Sequence, residues 1–313
     1  MLQAVRVLIP WSSFVLITLV LTACRAAPEM PPWFDGLHRT PIRTMLVDGH
    51  RIAYLDQGAG PPVIFLHGFG GSMWQWEYQL SLDDDHRVIV LDFLGAGLSD
   101  KPNLAYTPDD LIAFLTAFMD ALHVQRASLV GNSMGAGIAI GMALAHPERV
   151  ERLVLISGLP DHVRERLTSP LMHRAVDNWL PIWMIEFGNR FSGRGVTRRV
   201  LSEMVYDQAL LTPLVIERSH RNRTRSGMLR PVLTMVKNLP LWEQGFARRL
   251  SEITQPTLIL WGMQDKVFPP TVGETMREMI PGSRLELIPD SGHLPMWERP
   301  HLVNPLLKRF LTP

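Results

Sequence analysis

The chain has 313 residues, 46% of them apolar and 19% charged, enough to bury a large core and far from the polar composition of a disordered chain. With 31 Lys and Arg against 30 Asp and Glu the formal charge is +1, so no field spanning the whole chain recruits nucleic acid, and no nucleic-acid partner is expected. What remains is a globular chain of enzyme size.

At the N-terminus Arg6 precedes Val7 to Ala23, a run almost wholly apolar, which is the pattern of a secretory signal. The run has 17 residues and is interrupted by Pro10, Ser12 and Ser13. Spanning a bilayer takes roughly 20 apolar residues, so a cleaved export signal over residues 1–23 fits better than a permanent span. Its end, Leu21-Thr22-Ala23-Cys24, resembles the bacterial lipobox. That resemblance implies a lipidated Cys24 at the start of the mature chain and a membrane-anchored bacterial lipoprotein facing the periplasm or the cell surface. Cys24 is also the only cysteine, which rules out an internal disulfide in an exported chain. A tether over 24–42 follows, where Pro28, Pro31, Pro32 and Pro41 each lack an N–H and disfavour helix. Trp33 and Phe34 within it are expected to fold back onto the domain.

From Arg43 the pattern becomes regular. Thr44 to Val47 and Arg51 to Leu55 read as two strands around Asp48-Gly49, a pair that supplies the positive φ of a tight turn. Val63 to Leu66, Val88 to Leu91, Ala127 to Val130 and Leu153 to Ile156 are too apolar for one-sided burial and suit central parallel strands. Thr107-Pro108-Asp109-Asp110 reads as a helix start, with Leu111, Phe114, Leu115 and Phe118 at helical spacing. Met134 to His146, apolar all round, reads as a buried helix. The alternation predicts an α/β class with a mostly parallel, doubly wound sheet. It breaks between Leu159 and Leu250 and resumes with Thr257 to Trp261 and Arg284 to Ile288. Residues 43–158 and 251–313 are therefore expected to form the core, and 159–250 a helical cap over the sheet's carboxyl edge, carrying Trp179, Trp183, Trp242 and several Met.

The candidate chemistry centres on Gly131-Asn132-Ser133-Met134-Gly135, which follows one predicted strand and opens a predicted helix. That is the context of a nucleophile elbow, where the glycines relieve crowding at a sharp turn that presents the serine. A serine alcohol needs a histidine to take its proton and a carboxylate to hold that histidine. His293, in Asp290-Ser291-Gly292-His293-Leu294-Pro295, and Asp265, in Trp261-Gly262-Met263-Gln264-Asp265, each follow a predicted strand, giving the chain order Ser, Asp, His.

Together with His67-Gly68-Phe69-Gly70-Gly71, Asp92-Phe93-Leu94-Gly95-Ala96-Gly97-Leu98-Ser99 and the run from Gly292-His293 to Glu298 and Pro300, these motifs resemble the cap-bearing α/β-hydrolases over roughly Arg43 to Phe310. The resemblance implies two-step acyl transfer on a small acyl or ester substrate. Ser133 would attack, His293 would act as base and then acid, Asp265 would orient it, and the backbone N–H groups of Phe69 and Met134 would hold the oxyanion. Asp161 is a rival acid, since some family members place the acid after that earlier strand. His67, Asp92 and Glu298 read as structural.

A serine at position 133 disfavours the epoxide hydrolases and haloalkane dehalogenases of this fold, which use aspartate there. Carbon–carbon bond hydrolysis of vinylogous diketones is the enzymatic alternative, because the Asn132-bearing elbow also resembles that group, although Leu294 stands where those enzymes commonly have Trp. A catalytically silent binding protein on the same fold is the non-enzymatic one. No metal-ligand spacing or dinucleotide fingerprint stands outside these motifs, so neither metal nor cofactor is expected. The cap carries 15 Lys and Arg against 8 Asp and Glu, with a dense run from Arg218 to Arg225. That run reads either as a solvated face or as a contact for anionic lipid headgroups.

Overall fold

The computed structural model describes residues 41–312. The export signal over 1–23, Cys24, Trp33, Phe34 and nearly all of the tether lie outside these residues. Among the described residues no helix is long and apolar enough to cross a membrane.

Strands β1 (Arg43–Val47) and β2 (His50–Gln57) form the expected hairpin, Arg43 opposite Tyr54 and Val47 opposite His50. Asp48 and Gly49 take φ of 49° and 78°, the two positive values that such a tight turn needs. Then come β3 (Pro62–Leu66), β4 (Arg87–Leu91), β5 (Ala127–Asn132), β6 (Val150–Ile156), β7 (Thr257–Gly262) and β8 (Arg284–Ile288). They form one sheet in the order β1-β2-β4-β3-β5-β6-β7-β8. Only the pairings of β2, with β1 and with β4, are antiparallel. Every residue of β5 and β7 is buried, which is why these strands carry uninterrupted apolar runs, whereas β8 at the edge is half exposed.

Helix α1 (Pro108–Ala121) opens on a capping box: the Thr107 hydroxyl accepts from the Asp110 N–H, and the Asp110 carboxylate accepts from the Thr107 N–H. Its inward face is Leu111, Phe114, Leu115 and Phe118. Helix α2 (Met134–Ala145) is buried on nearly every side, as its uniform apolarity demands.

Between β6 and β7 the chain runs through α3 (Val163–Arg166), α4 (Pro170–Val176), α5 (Ile182–Asn189), α6 (Arg194–Met204), α7 (Pro213–Thr224), α8 (Leu229–Lys237) and α9 (Leu239–Gly245). Helix α10 (Pro270–Met279) links β7 to β8, and α11 (Pro295–Glu298) and α12 (Pro300–Leu311) follow. The α/β class with a mostly parallel sheet and an inserted helical segment is thus the architecture observed.

The structure sorts the tryptophans and the basic residues of the inserted helices. Trp242 is buried, but Trp179 and Trp183 are 85% and 63% exposed and line neither core nor cavity. The basic run from Arg218 to Arg225 is no solvated face. Arg218 is buried, forks onto the Glu77 carboxylate at 3.0 and 3.1 Å and lies 4.5 Å over the Trp74 ring. Arg223 donates to Thr197, Asn189 and Ser192, and of the run's outer cations Arg221 is held by Glu217. With Arg218 and Arg223 turned inward, the run offers little free charge to a lipid headgroup.

Candidate active site

The parallel register places the ends of β3, β5, β7 and β8 side by side, so the loops leaving them share one edge of the sheet. The loop after β3 carries His67 to Gly71, β5 runs into Ser133, Asp265 lies three residues past β7, and His293 lies five past β8.

Ser133 sits at φ 52° and ψ −115°, a conformation that L-residues rarely adopt, and its N–H is held by the Ile156 carbonyl at 2.9 Å. Strain of this kind costs on the order of 1–3 kcal/mol and persists only where the surroundings impose it. Here the surroundings are close backbone. A Cβ on Gly131 would collide with the Gly135 backbone, and one on Gly135 would collide with the Leu66 carbonyl, so both positions need glycine for the strand-to-helix turn to close.

His293 is buried, and its Nδ1 lies 2.9 Å from Oδ2 of Asp265. An ionised carboxylate only accepts, so Nδ1 carries the proton and Nε2 keeps its lone pair. The other Asp265 oxygen accepts from the N–H groups of Val267 (2.8 Å) and Phe268 (3.1 Å), which holds the carboxylate in one orientation. The rival Asp161 instead pairs with Arg166 at 2.9 Å and makes no contact with His293. Neighbouring groups hold the histidine loop on three sides. Asn132 Nδ2 donates to the His293 carbonyl at 3.1 Å, the His293 N–H donates to the Met204 carbonyl at 2.7 Å, and the Gly292 N–H donates to Glu298 at 2.7 Å. The other Glu298 oxygen accepts from the N–H groups of Tyr206 and Asp207, so this one carboxylate ties the histidine loop to the end of α6. Burial raises the Glu298 carboxyl above its ordinary range, while the three N–H donors oppose the shift.

The loop after β3 passes beside Ser133, since a Cβ on Gly68 would stand 3.2 Å from that of Ser133. Its shape is fixed by the Gly71 N–H to Gly68 carbonyl bond at 3.1 Å and by Gln75, which accepts the Gly68 N–H at 3.2 Å. His67 holds it from below: Nδ1 donates to the Gly68 carbonyl at 2.8 Å and Nε2 accepts the Phe93 N–H at 3.1 Å. Burial lowers the His67 pKa, consistent with a neutral ring that works as a brace. Asp92 is likewise structural, accepting the N–H groups of Met73 and Leu98 at 2.7 Å each. The Phe69 and Met134 N–H groups, one in this loop and one opening α2, have no loop or side-chain acceptor among the described residues. The first N–H groups of a helix have no acceptor within it.

Ser133, His293, Phe69 and Asn132 all line one cavity of about 270 Å³. Its far walls come from the inserted helices, through Met172, Val176, Leu201, Met204, Met228 and Val232. Three methionines of that segment meet the cavity, whereas Trp179 and Trp183 do not. Reasoning from sequence did not single out Asn132, Gln75 and Glu77 for their bonding roles. Asn132 lay within a recognised motif, but nothing local marks Gln75 as a brace or Glu77 as the partner of Arg218.

Known proteins place this arrangement. The chain is 30% identical over 271 residues to the 2-hydroxy-6-oxononadienedioate/2-hydroxy-6-oxononatrienedioate hydrolase of Burkholderia vietnamiensis, covering 83% of this chain and 91% of that one. Its structure is similar to a meta-cleavage product hydrolase from Pseudomonas fluorescens IP01 (27% identity, TM-score 0.74, 86% of this chain and 96% of that one). It is also similar to a thermophilic esterase from Thermogutta terrifontis (27% identity, TM-score 0.69, 87% of this chain and 98% of that one). A family profile described as the alpha/beta hydrolase fold matches residues 61–300. On these grounds the chain belongs to the alpha/beta hydrolase fold family and is a hydrolase.

Proposed function

We propose that the chain cleaves carboxylic esters by a serine acyl-enzyme mechanism. The observation that carries this reading is the convergence of a strained Ser133 with the hydrogen-bonded His293–Asp265 pair on one largely apolar cavity. Ser133 Oγ attacks the acyl carbon while His293 Nε2 takes its proton, and the imidazolium is stabilised by Asp265. The oxyanion is received by the N–H groups of Phe69 and Met134, the pair left without an internal acceptor. His293 returns the proton to the departing alkoxide, and a water then repeats the sequence on the acyl-enzyme. The apolar walls from the inserted helices receive the acyl chain.

A panel of p-nitrophenyl esters of increasing acyl length, run with the wild type and Ser133→Ala, tests this directly. Turnover that rises with acyl length and vanishes in the variant is expected. Equal turnover in the variant removes Ser133 from the reaction. The second reading is carbon–carbon bond hydrolysis, favoured by the likeness to meta-cleavage product hydrolases and opposed by Leu294 after the histidine. Cleavage of a vinylogous diketone at a rate above that of every ester in the panel would establish it instead.

The same reading places the enzyme on a membrane through lipid on Cys24, supported by the Leu21-Thr22-Ala23-Cys24 pattern and the 17-residue apolar run before it. Metabolic palmitate labelling that disappears in Cys24→Ser is the expected result, and an unlabelled wild type removes the anchor.

A further inference from the structure

Helix α5 is apolar on both sides, yet only one side is covered. Ile182 and Ile185 are half-buried on its inner side, whereas Trp183, Met184 and Phe187 on the outer side are 63%, 44% and 59% exposed. The exposed strip continues beyond both ends of the helix, to Trp179 at 85% and Phe191 at 77%, and the Phe187 and Phe191 rings meet edge-on at 5.3 Å. A helix apolar all round belongs in a core or in lipid, and an exposed strip of this kind marks an interaction surface.

The charges around the strip select the partner. Its one acid, Glu186, is already neutralised by Arg230, and Asp177, just before it, by Arg164. Arg174, Arg190 and Arg199 have no carboxylate within ion-pair distance among the described residues. Exposed aromatic rings on a segment that itself carries an unpaired arginine, Arg190, and is flanked along the chain by exposed Arg174 and Arg199 match the boundary of an anionic bilayer, where amphipathic rings lie at headgroup depth and guanidinium groups meet phosphate. We propose that the α5 strip, Trp179 to Phe191, is a docking surface for an anionic phospholipid membrane. The helices on either side of the strip in the chain, α4 and α6, supply Met172, Val176, Leu201 and Met204 to the cavity wall, so the strip joins two segments that line the cavity. This differs from a headgroup contact by Arg218 to Arg225, of which Arg218 and Arg223 are turned inward. It depends neither on the chemistry of Ser133 nor on lipidation of Cys24.

The test uses the full chain with Cys24→Ser, so that a single introduced thiol can carry an environment-sensitive fluorophore. The label is placed at Phe187→Cys, or at Leu46→Cys, an equally open position on β1 at 70% exposure. Both proteins are mixed with vesicles of phosphatidylcholine, with and without phosphatidylglycerol, that contain a nitroxide quencher on the acyl chains. The label at 187 is expected to shift to the blue and to be quenched about tenfold more than the label at 46, in the phosphatidylglycerol vesicles above all. Adding Trp183→Ser and Arg190→Ser should abolish that difference, and 1 M salt, with a Debye length of about 3 Å, should weaken it. Equal quenching at the two positions overturns the proposal. So does a blue shift at 187 that grows with protein concentration without vesicles, which would make the strip a contact between copies of this chain.

Discussion

Ser133 carries its strain because two glycines let the β5–α2 turn close over it, and Asp265 is locked by two backbone donors before it meets His293. Asp265→Asn keeps the packing and both of those donors, but its amide favours the wrong imidazole tautomer. Ester turnover is therefore expected to fall by about 10³–10⁴-fold with the melting temperature nearly unchanged. Activity within tenfold of wild type would remove Asp265 from this role.

Lys101 gives a second prediction at this scale. Its ammonium donates to the carbonyls of Gly97 (2.8 Å) and Ser99 (2.7 Å), and burial pushes its pKa down to about 8. An unfolded lysine titrates near 10.4, so between pH 8 and 10 the unfolded chain holds the proton that the folded one has released, and stability rises with pH. Urea unfolding should show a gain on the order of 2 kcal/mol across that window, absent in Lys101→Met. A flat profile in the wild type would contradict the depressed pKa.

At the scale of elements, the inserted helices are tied to the core by a few long-range polar contacts. Arg218 on α7 forks onto Glu77, which also accepts the Trp297 indole N–H at 2.8 Å. Arg218→Met leaves a largely buried carboxylate without its counter-charge and is expected to cost about 3–5 kcal/mol. Adding Glu77→Gln to that variant should recover much of the loss, because an unpaired neutral amide costs far less to bury than a charge. Purely additive losses in the double variant would show that the pair contributes only through packing. Thr107→Ala, which removes one half of the capping box of α1, should cost about 1 kcal/mol in thermal or urea unfolding and leave ester turnover intact.

For the molecule as a whole, the cavity draws its walls from both the sheet loops and the inserted helices, and Glu298 and Met204 join the histidine loop to α6. Ligand binding and unfolding should therefore be shared by both parts. In Ser133→Ala, a long-chain ester at 100 times its Kd should add about 2.7 kcal/mol and raise a single calorimetric transition. Two transitions, with only one of them shifted, would mean that the inserted helices unfold independently of the sheet.

Much of this was legible along the chain because its physical basis is local. Uninterrupted apolar runs marked strands buried on two faces, Asp48-Gly49 marked a hairpin, Thr107 and Asp110 marked a helix start, and glycines two residues either side of Ser133 marked a turn too tight for side chains. That Ser133, Asp265 and His293, which follow β5, β7 and β8, meet at one edge likewise follows from the rule that parallel strands end on one side of the sheet. The motifs already favour Asp265 over Asp161, but the reason belongs to the tertiary structure, where Arg166 takes one carboxylate and His293 the other. The same holds for Gln75 and Glu77, whose partners lie 7 residues and 141 residues away in the chain. Composition marked the inserted helices as basic and rich in Trp and Met. Which arginines turn inward and which tryptophans face outward depends on the contacts of each helix, because one segment offers the same residues to a core or to solvent until its neighbours are in place.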